Sequence, residues 1–303
     1  MLEKPCYREK KKFNGNTAKT EYEQIMGLLG CHVSGAVDHA PEGGHVLGCE
    51  IIQLFTRNPS QWKSTSLTEE RASQFREQIK AYGFQKVLVH GIYIINLASF
   101  NKTLRKRSET AFLEEMDRCE ALGVPYLIFH PGSYRETTEI KGIQNLVQSL
   151  QRLLDKRPNQ KVKLLIENTA GGGSLLGGRF EQISTIRNQL EPSDRVKVCF
   201  DTAHAHAAGY DLRTPEGLVE VLDQFHATIG LKNLLAFHLN DTPSELGSHR
   251  DRHENLGHGQ ISLESFTSLV NDPRFRNHPM ALETPGGDEW FRKNLQILFE
   301  LRT

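Results

Sequence analysis

The stretch VKVCFDTAHAHAAGYD, residues 196–211, holds the unit on which the fold turns. A compact apolar run of β-strand character closes on a single carboxylate, Asp201, and helix-forming alanines follow at once. The same beat recurs on either side. LLGCHVS, EIIQLFT, KVLVHG, YLIFHP and VKLLIEN precede it; LLAFHLND and MALETP follow. Runs this short and this apolar suit parallel strands covered on both faces.

Helical segments separate them. SLTEERASQFREQIKAYG opens on a serine cap and closes on glycine. TPEGLVEVLDQFHATIG begins with threonine, carries proline where a first turn tolerates it, and also ends in glycine. DEWFRKNLQILFELRT closes the chain. A parallel strand pair needs a crossover helix, so eight strands alternating with helices predict a single (β/α)8 or TIM barrel over residues 28–303. A doubly wound open sheet is the alternative, but no glycine-rich dinucleotide fingerprint follows the first strand. Residues 1–27 are polar and lysine-rich and read as an extension.

Composition narrows the class. Hydrophobic residues make up 38% and charged residues 24% of the 303, as in an ordinary soluble globular protein. The net charge is zero, so no bulk basicity advertises nucleic acid, although a local basic rim remains compatible with it. The five cysteines are scattered without a CxxC, which argues against a disulfide framework and a zinc ribbon. The lysine-rich start lacks the apolar core of a secretory signal, and no apolar run approaches membrane-spanning length. The expected compartment is therefore reducing, cytoplasmic or nuclear.

Chemistry enters at the ends of the strands. The third to eighth runs end in His90, His130, Glu167, Asp201, His238 and Glu283, each one βα unit after the last. A barrel gathers strand carboxyl ends at one mouth, where its active sites lie. One such histidine alone reads as a hydrogen-bonded core residue. Six residues of ligand type in register read differently, because unpaired buried carboxylates cost several kcal/mol each and call for a cation. His204 follows Asp201 by three positions. In HLNDTPSELGSHRDRHENLGHG, residues 238–259, Asp251 and His253 alternate and can point the same way, so with His204 they form a third set. Imidazole and carboxylate without thiolate suit zinc, with manganese or iron as alternatives. His206, His249 and His258 read better as solvated loop residues.

In HVSGA, IENTAGGGS, CFDTAHAHAAGYDL, HLNDTPSELGSHRDRHENLGHGQI and LETP the chain resembles the endonuclease IV family of zinc-dependent apurinic/apyrimidinic (AP) endonucleases, from about His32 to Glu283. The resemblance implies a trinuclear zinc cluster. One ion would take His90, His130 and Glu167; a second would share Glu167 and take Asp201, His238 and Glu283; the third would take His204, Asp251 and His253. It implies hydrolysis of the phosphodiester 5′ to an abasic site in duplex DNA, leaving a 3′-hydroxyl and a 5′-deoxyribose phosphate. Glu167 and Glu283 would be the catalytic carboxylates that orient the nucleophile, and Tyr93 the ring that wedges into the duplex. A monomer working on nucleoid or nuclear DNA is expected.

The chain also departs from the family. Paired glycines stand at Gly43 and Gly44 rather than soon after HVS, Ser60 replaces a DNA-reaching arginine in RNPSQW, and Tyr134 replaces a frequent histidine after HPGS. Arg57, Arg250 and Arg252 are the expected substitute DNA contacts. Two rival readings differ in class. A sugar isomerase or epimerase of the xylose-isomerase-like barrels needs no third metal set, and a non-catalytic binder of damaged DNA needs no complete ligand set.

Overall fold

The computed structural model describes residues 27–303. Eight parallel strands close a barrel in chain order: β1 (Leu28–His32), β2 (Ile51–Leu54), β3 (Lys86–His90), β4 (Tyr126–Phe129), β5 (Lys163–Glu167), β6 (Val196–Asp201), β7 (Leu234–His238) and β8 (Pro279–Leu282). The connecting helices are α1 (Ala40–Leu47), α2 (Glu69–Tyr82), α3 (Lys102–Leu122), α4 (Glu139–Lys156), α5 (Phe180–Arg187), α6 (Thr202–Ala208), α7 (Pro215–Thr228), α8 (Leu263–Val270) and α9 (Gly287–Leu301). The (β/α)8 expectation holds. The polar extension read over residues 1–27 lies outside the described residues, Gly27 excepted.

Helix ends follow their side chains. Asn101, Thr138, Thr214 and Ser262 cap α3, α4, α7 and α8 by accepting a backbone N–H of the first turn. The cap of α2 is Thr68, which accepts from the Arg71 amide, so the serine expected there stands two residues too early. At the other end of α7, the C-cap after Thr228 is Ile229, one residue before the glycine. The first difference is local, because any hydroxyl near a helix start competes for the same orphan amides.

Strand alternation builds two cores. One residue per strand, Leu28, Ile51, Leu88, Ile128, Leu165, Cys199, Ala236 and Ala281, plugs the barrel interior. Their neighbours, among them Ile52, Val89, Phe129, Ile166, Phe200, Phe237 and Leu282, face the helices in the larger outer core. Leu234 and Ala236 lie two apart yet belong to different cores, since β7 carries an extra residue opposite Val198 and Cys199. The interior is tight enough that a Cβ at Gly30 would stand 1.8 Å from the Ile51 carbonyl oxygen. Only glycine fits there. Among the described residues no helix is long and apolar enough to cross a membrane.

Candidate metal centre

On β3 to β8, two residues past the interior plug residue, the same inward face turns polar. Leu88 leads to His90, Ile128 to His130, Leu165 to Glu167, Cys199 to Asp201, Ala236 to His238 and Ala281 to Glu283. The period of two that fills the barrel with hydrocarbon thus stacks the ligand-type side chains on top of it.

Their atoms converge in three overlapping groups. His90 and His130 approach one Glu167 oxygen, Oε2, with their Nε2 atoms at 3.0 and 3.3 Å. The other oxygen, Oε1, lies 3.0 Å from His238 Nδ1, which is also 3.3 Å from Glu283 Oε2 and 3.7 Å from Asp201 Oδ2. The third group joins Asp201, His204 and His253. Asp251 borders it, with Oδ1 3.2 Å from His204 Nε2 and 3.8 Å from His253 Nε2. The expected third set had Asp251 and lacked Asp201; the geometry includes Asp201 and sets Asp251 at the border. Asp201 reaches it because it caps α6, accepting from the His204 amide at 2.7 Å, and so fixes His204 in the first turn.

Three features suit this cluster to bound cations. Glu167, Asp201 and Glu283 pair only with histidines; among the described residues no lysine or arginine reaches them. His253 Nε2 is buried without a hydrogen-bond partner. Finally, three histidines each commit one ring nitrogen to a backbone carbonyl: His90 Nδ1 to Gly91 O at 2.7 Å, His204 Nδ1 to Asn168 O at 3.0 Å, and His253 Nδ1 to Glu283 O at 3.3 Å. A carbonyl only accepts, so each Nδ1 carries a proton, and Nε2 is the nitrogen whose proton a cation at the cluster would replace.

The charge balance agrees. Burial pushes the Glu167 carboxyl up, but His238 and His130 overrule it and hold the group well below the usual carboxylate range. Burial likewise lowers His204, yet Asp201 and Asp251 raise it well above an ordinary imidazole. Protons on histidines balance the carboxylates until a metal displaces them.

Around the rim the expectations fare unevenly. Tyr93 is 62% exposed, and its ring stands edge-on to Phe55 and tilted over His90 at centroid distances of 5.1 and 5.8 Å. Burial of its phenol and the Glu283 and Glu167 carboxylates push its pKa up to about 12. Arg250 and Arg252 are exposed beside Asp251. Arg57, expected at the surface, is turned inward. Its side chain is 3% exposed and pairs inward with Glu115 and Glu114, while it donates to the Ala111 carbonyl. His206, expected in a solvated loop, is fully buried on α6. His249 and His258 are exposed, as expected. Ser60 is exposed, with its amide donating to Asn58 Oδ1. Tyr134 reaches the Gly173 carbonyl.

Asp241 is structural. Fully buried, it accepts from the amides of Thr242, Gly257, Gly259 and Ile261 and folds the ligand loop back over the mouth. Gly259 must be glycine there, since a Cβ would meet the Thr242 carbonyl oxygen at 2.3 Å. Sequence reasoning missed three polar residues. Gln53 and His32 sit beside Glu283, and Asn240 donates to Asp201 Oδ2 at 2.7 Å while accepting from the Glu283 amide. The signal for Gln53 was a polar side chain at the inward position two beyond Ile51.

The family described as the xylose isomerase-like TIM barrel matches residues 45–301. A probable endonuclease 4 of Geobacter sulfurreducens is 44% identical over 86% of this chain and 89% of its own length. Another, from Geobacter sp. strain M21, is 41% identical over 91% of this chain and 99% of its own. The chain belongs to the endonuclease IV family. The crystal structure of endonuclease IV from Thermus thermophilus superposes with a TM-score of 0.80 at 30% identity, covering 91% of this chain and 97% of that one. A D-tagatose 3-epimerase-like protein, at 18% identity and a TM-score of 0.71, shares the barrel and supports only the fold. Endonuclease IV membership therefore makes this a nuclease barrel, carrying clusters able to hold metal at the carboxyl ends of its strands.

Proposed function

We propose that the chain is a zinc-dependent AP endonuclease that hydrolyses the DNA backbone 5′ to abasic sites, leaving a 3′-hydroxyl and a 5′-deoxyribose phosphate. The observation that carries this reading is the fusion of three ligand groups through shared carboxylates. Glu167 and Asp201 each belong to two of them. Zinc bound there supplies Lewis acidity toward the phosphate and activates water at neutral pH. Manganese or iron could serve at individual sites.

The chain's own residues do the rest. Glu167 offers one oxygen to the His90–His130 side and the other to the His238 side, so a single carboxylate sets the spacing of two groups. Glu283 keeps Oε2 toward His238 and is placed to orient the attacking water. Tyr93 fills the gap an extruded abasic nucleotide leaves, which is inexpensive to open because the nucleotide has no base to unstack. Arg250 and Arg252 meet the phosphates on the loop that carries Asp251 and His253. Every ligand group is complete within one chain, which suits a monomer acting on DNA of the nucleoid or nucleus. A sugar epimerase would leave the His204, Asp251 and His253 group without purpose.

Elemental analysis of the purified chain, beside incision of a duplex carrying one abasic analogue, tests the reading. About three zinc ions per chain and a single cut 5′ to the analogue are expected. Full activity with one ion or none would overturn the trinuclear reading. A metal-loaded protein that spares the duplex and epimerises a ketose would overturn the nuclease reading.

A further inference from the structure

Gln53 is fully buried on the inward face of β2 and is the register partner of His32. It touches three groups at once. Its Nε2 lies 2.6 Å from Glu283 Oε1 and 2.9 Å from His32 Nδ1, and its Oε1 lies 2.8 Å from His238 Nε2. An ionised carboxylate only accepts hydrogen bonds, so the amide NH2 end must face Glu283 and the carbonyl end must face His238. A carbonyl also only accepts, so His238 Nε2 carries the ring proton. In the neutral ring that a cation requires, Nδ1 is then the nitrogen with the lone pair, and that atom is the one 3.0 Å from Glu167 Oε1 and 3.3 Å from Glu283 Oε2. The second amide hydrogen goes to His32 Nδ1, which leaves the His32 proton on its other nitrogen.

The contrast with the other ligand histidines gives this contact its weight. Backbone carbonyls of Gly91, Asn168 and Glu283 orient His90, His204 and His253, and no substitution at those positions removes a carbonyl. His238 alone among these four takes its orientation from a side chain. We infer that Gln53 is a positioning residue for the Glu167–Asp201–His238–Glu283 group. It fixes His238 as an Nδ1 ligand, and it ties down one oxygen of Glu283 so that the other faces the metal. The inference rests on the zinc endonuclease reading of the site.

No other common side chain does both jobs. Methionine keeps the shape but leaves Glu283 Oε1 without its donor and the His238 Nε2–H without an acceptor, so the imidazole is free to take the other tautomer. Glutamate keeps an acceptor for His238 but sets a second carboxylate against Glu283. Partners that orient a ligand in this way are worth roughly 10–100-fold in metal affinity or activity.

The test uses the full chain, loaded with zinc, as wild type, Gln53→Met and Gln53→Glu. Zinc per chain is followed during timed exposure to a chelator, thermal unfolding is recorded, and single-turnover incision is measured across duplex concentrations. Gln53→Met should give up about one zinc per chain roughly 10–100-fold faster than wild type and keep the remainder. Its incision rate should fall by a similar factor, with KM for the duplex unchanged. Gln53→Glu should recover much of the zinc retention while staying slow in incision, and it carries the test if the methionine variant does not fold. Equal retention and rate in wild type and Gln53→Met would overturn the inference and leave the nuclease reading standing. So would loss of all zinc in parallel with thermal stability, which would make Gln53 a packing residue only. A wild type without zinc or incision would instead bring down the reading on which the inference rests.

Discussion

The two ends of the barrel handle charge in opposite ways. At the amino ends of the strands, carboxylates meet fixed cations. Glu50 pairs with Arg302 through two hydrogen bonds of 2.6 and 2.8 Å, and Asp194 is bracketed by Lys197 and Lys163 at 2.8 and 3.0 Å. At the carboxyl ends, the ionisable partners of Glu167, Asp201 and Glu283 among the described residues are histidines, and one carboxylate serves several rings. A lysine or arginine closes an ion pair permanently, whereas an imidazole can surrender its proton to a metal. The floor's charges are therefore closed within the chain, and the mouth's are left open to ions.

Removing charge at the mouth should accordingly cost function first. Glu167→Gln keeps the volume of the side chain and removes the carboxylate common to two groups. Incision should fall by roughly 100-fold with little loss of thermal stability. Near-normal turnover at saturating zinc would show that Glu167 is not the bridge. Asp251→Ala acts at the periphery, where the side chain is more exposed and the third group retains Asp201, His204 and His253. It should release about one zinc ion per chain and slow incision by roughly 10-fold. Release of every ion together would mean that the groups assemble cooperatively. At the rim, Tyr93→Ala should leave metal content untouched and reduce discrimination between abasic and intact duplex by about 1–3 kcal/mol, read from competitive binding. Unchanged discrimination would take Tyr93 off the DNA path.

The mouth was more legible in the sequence than its surroundings, for a physical reason. Parallel strands buried on both faces are apolar throughout, so a histidine or carboxylate at the end of such a run stands out, and the barrel supplies the convergence. Gln53 carries no charge and lies inside the run EIIQLFT, where nothing separates it from an incidental polar residue until the inward face of β2 is known. Arg57 shows the reverse failure. An arginine in a loop reads as a surface cation, but its direction is set by Glu115 on α3, a partner far along the chain. Asp201 falls between the two. Its place at the strand end predicts a ligand, while its second role as the α6 cap, which draws it toward the third group, depends on the chain turning into a helix with no intervening loop.

The smallest effect belongs to the floor. Hydrogen bonds from Lys197 and Lys163, and their charges, hold the Asp194 carboxyl down at about 2. A carboxyl at about 3.9 in the unfolded chain and lower in the fold stabilises the fold above that value. The contribution then fades as pH falls from about 4 toward about 2, as the folded carboxyl also takes up its proton. The Asp194 side chain is 75% exposed, so water and salt screen the pair and the gain at neutral pH stays below ~1 kcal/mol. Asp194→Asn should therefore lower stability slightly at pH 7, and the difference from wild type should vanish near pH 2 and shrink with added salt. Denaturant unfolding across pH reads this directly, with zinc content and incision as controls that should not move. If Asp194→Asn lowers zinc occupancy or incision at pH 7, the floor and the mouth are coupled through β5 and β6. The division of labour between the two ends would then fail.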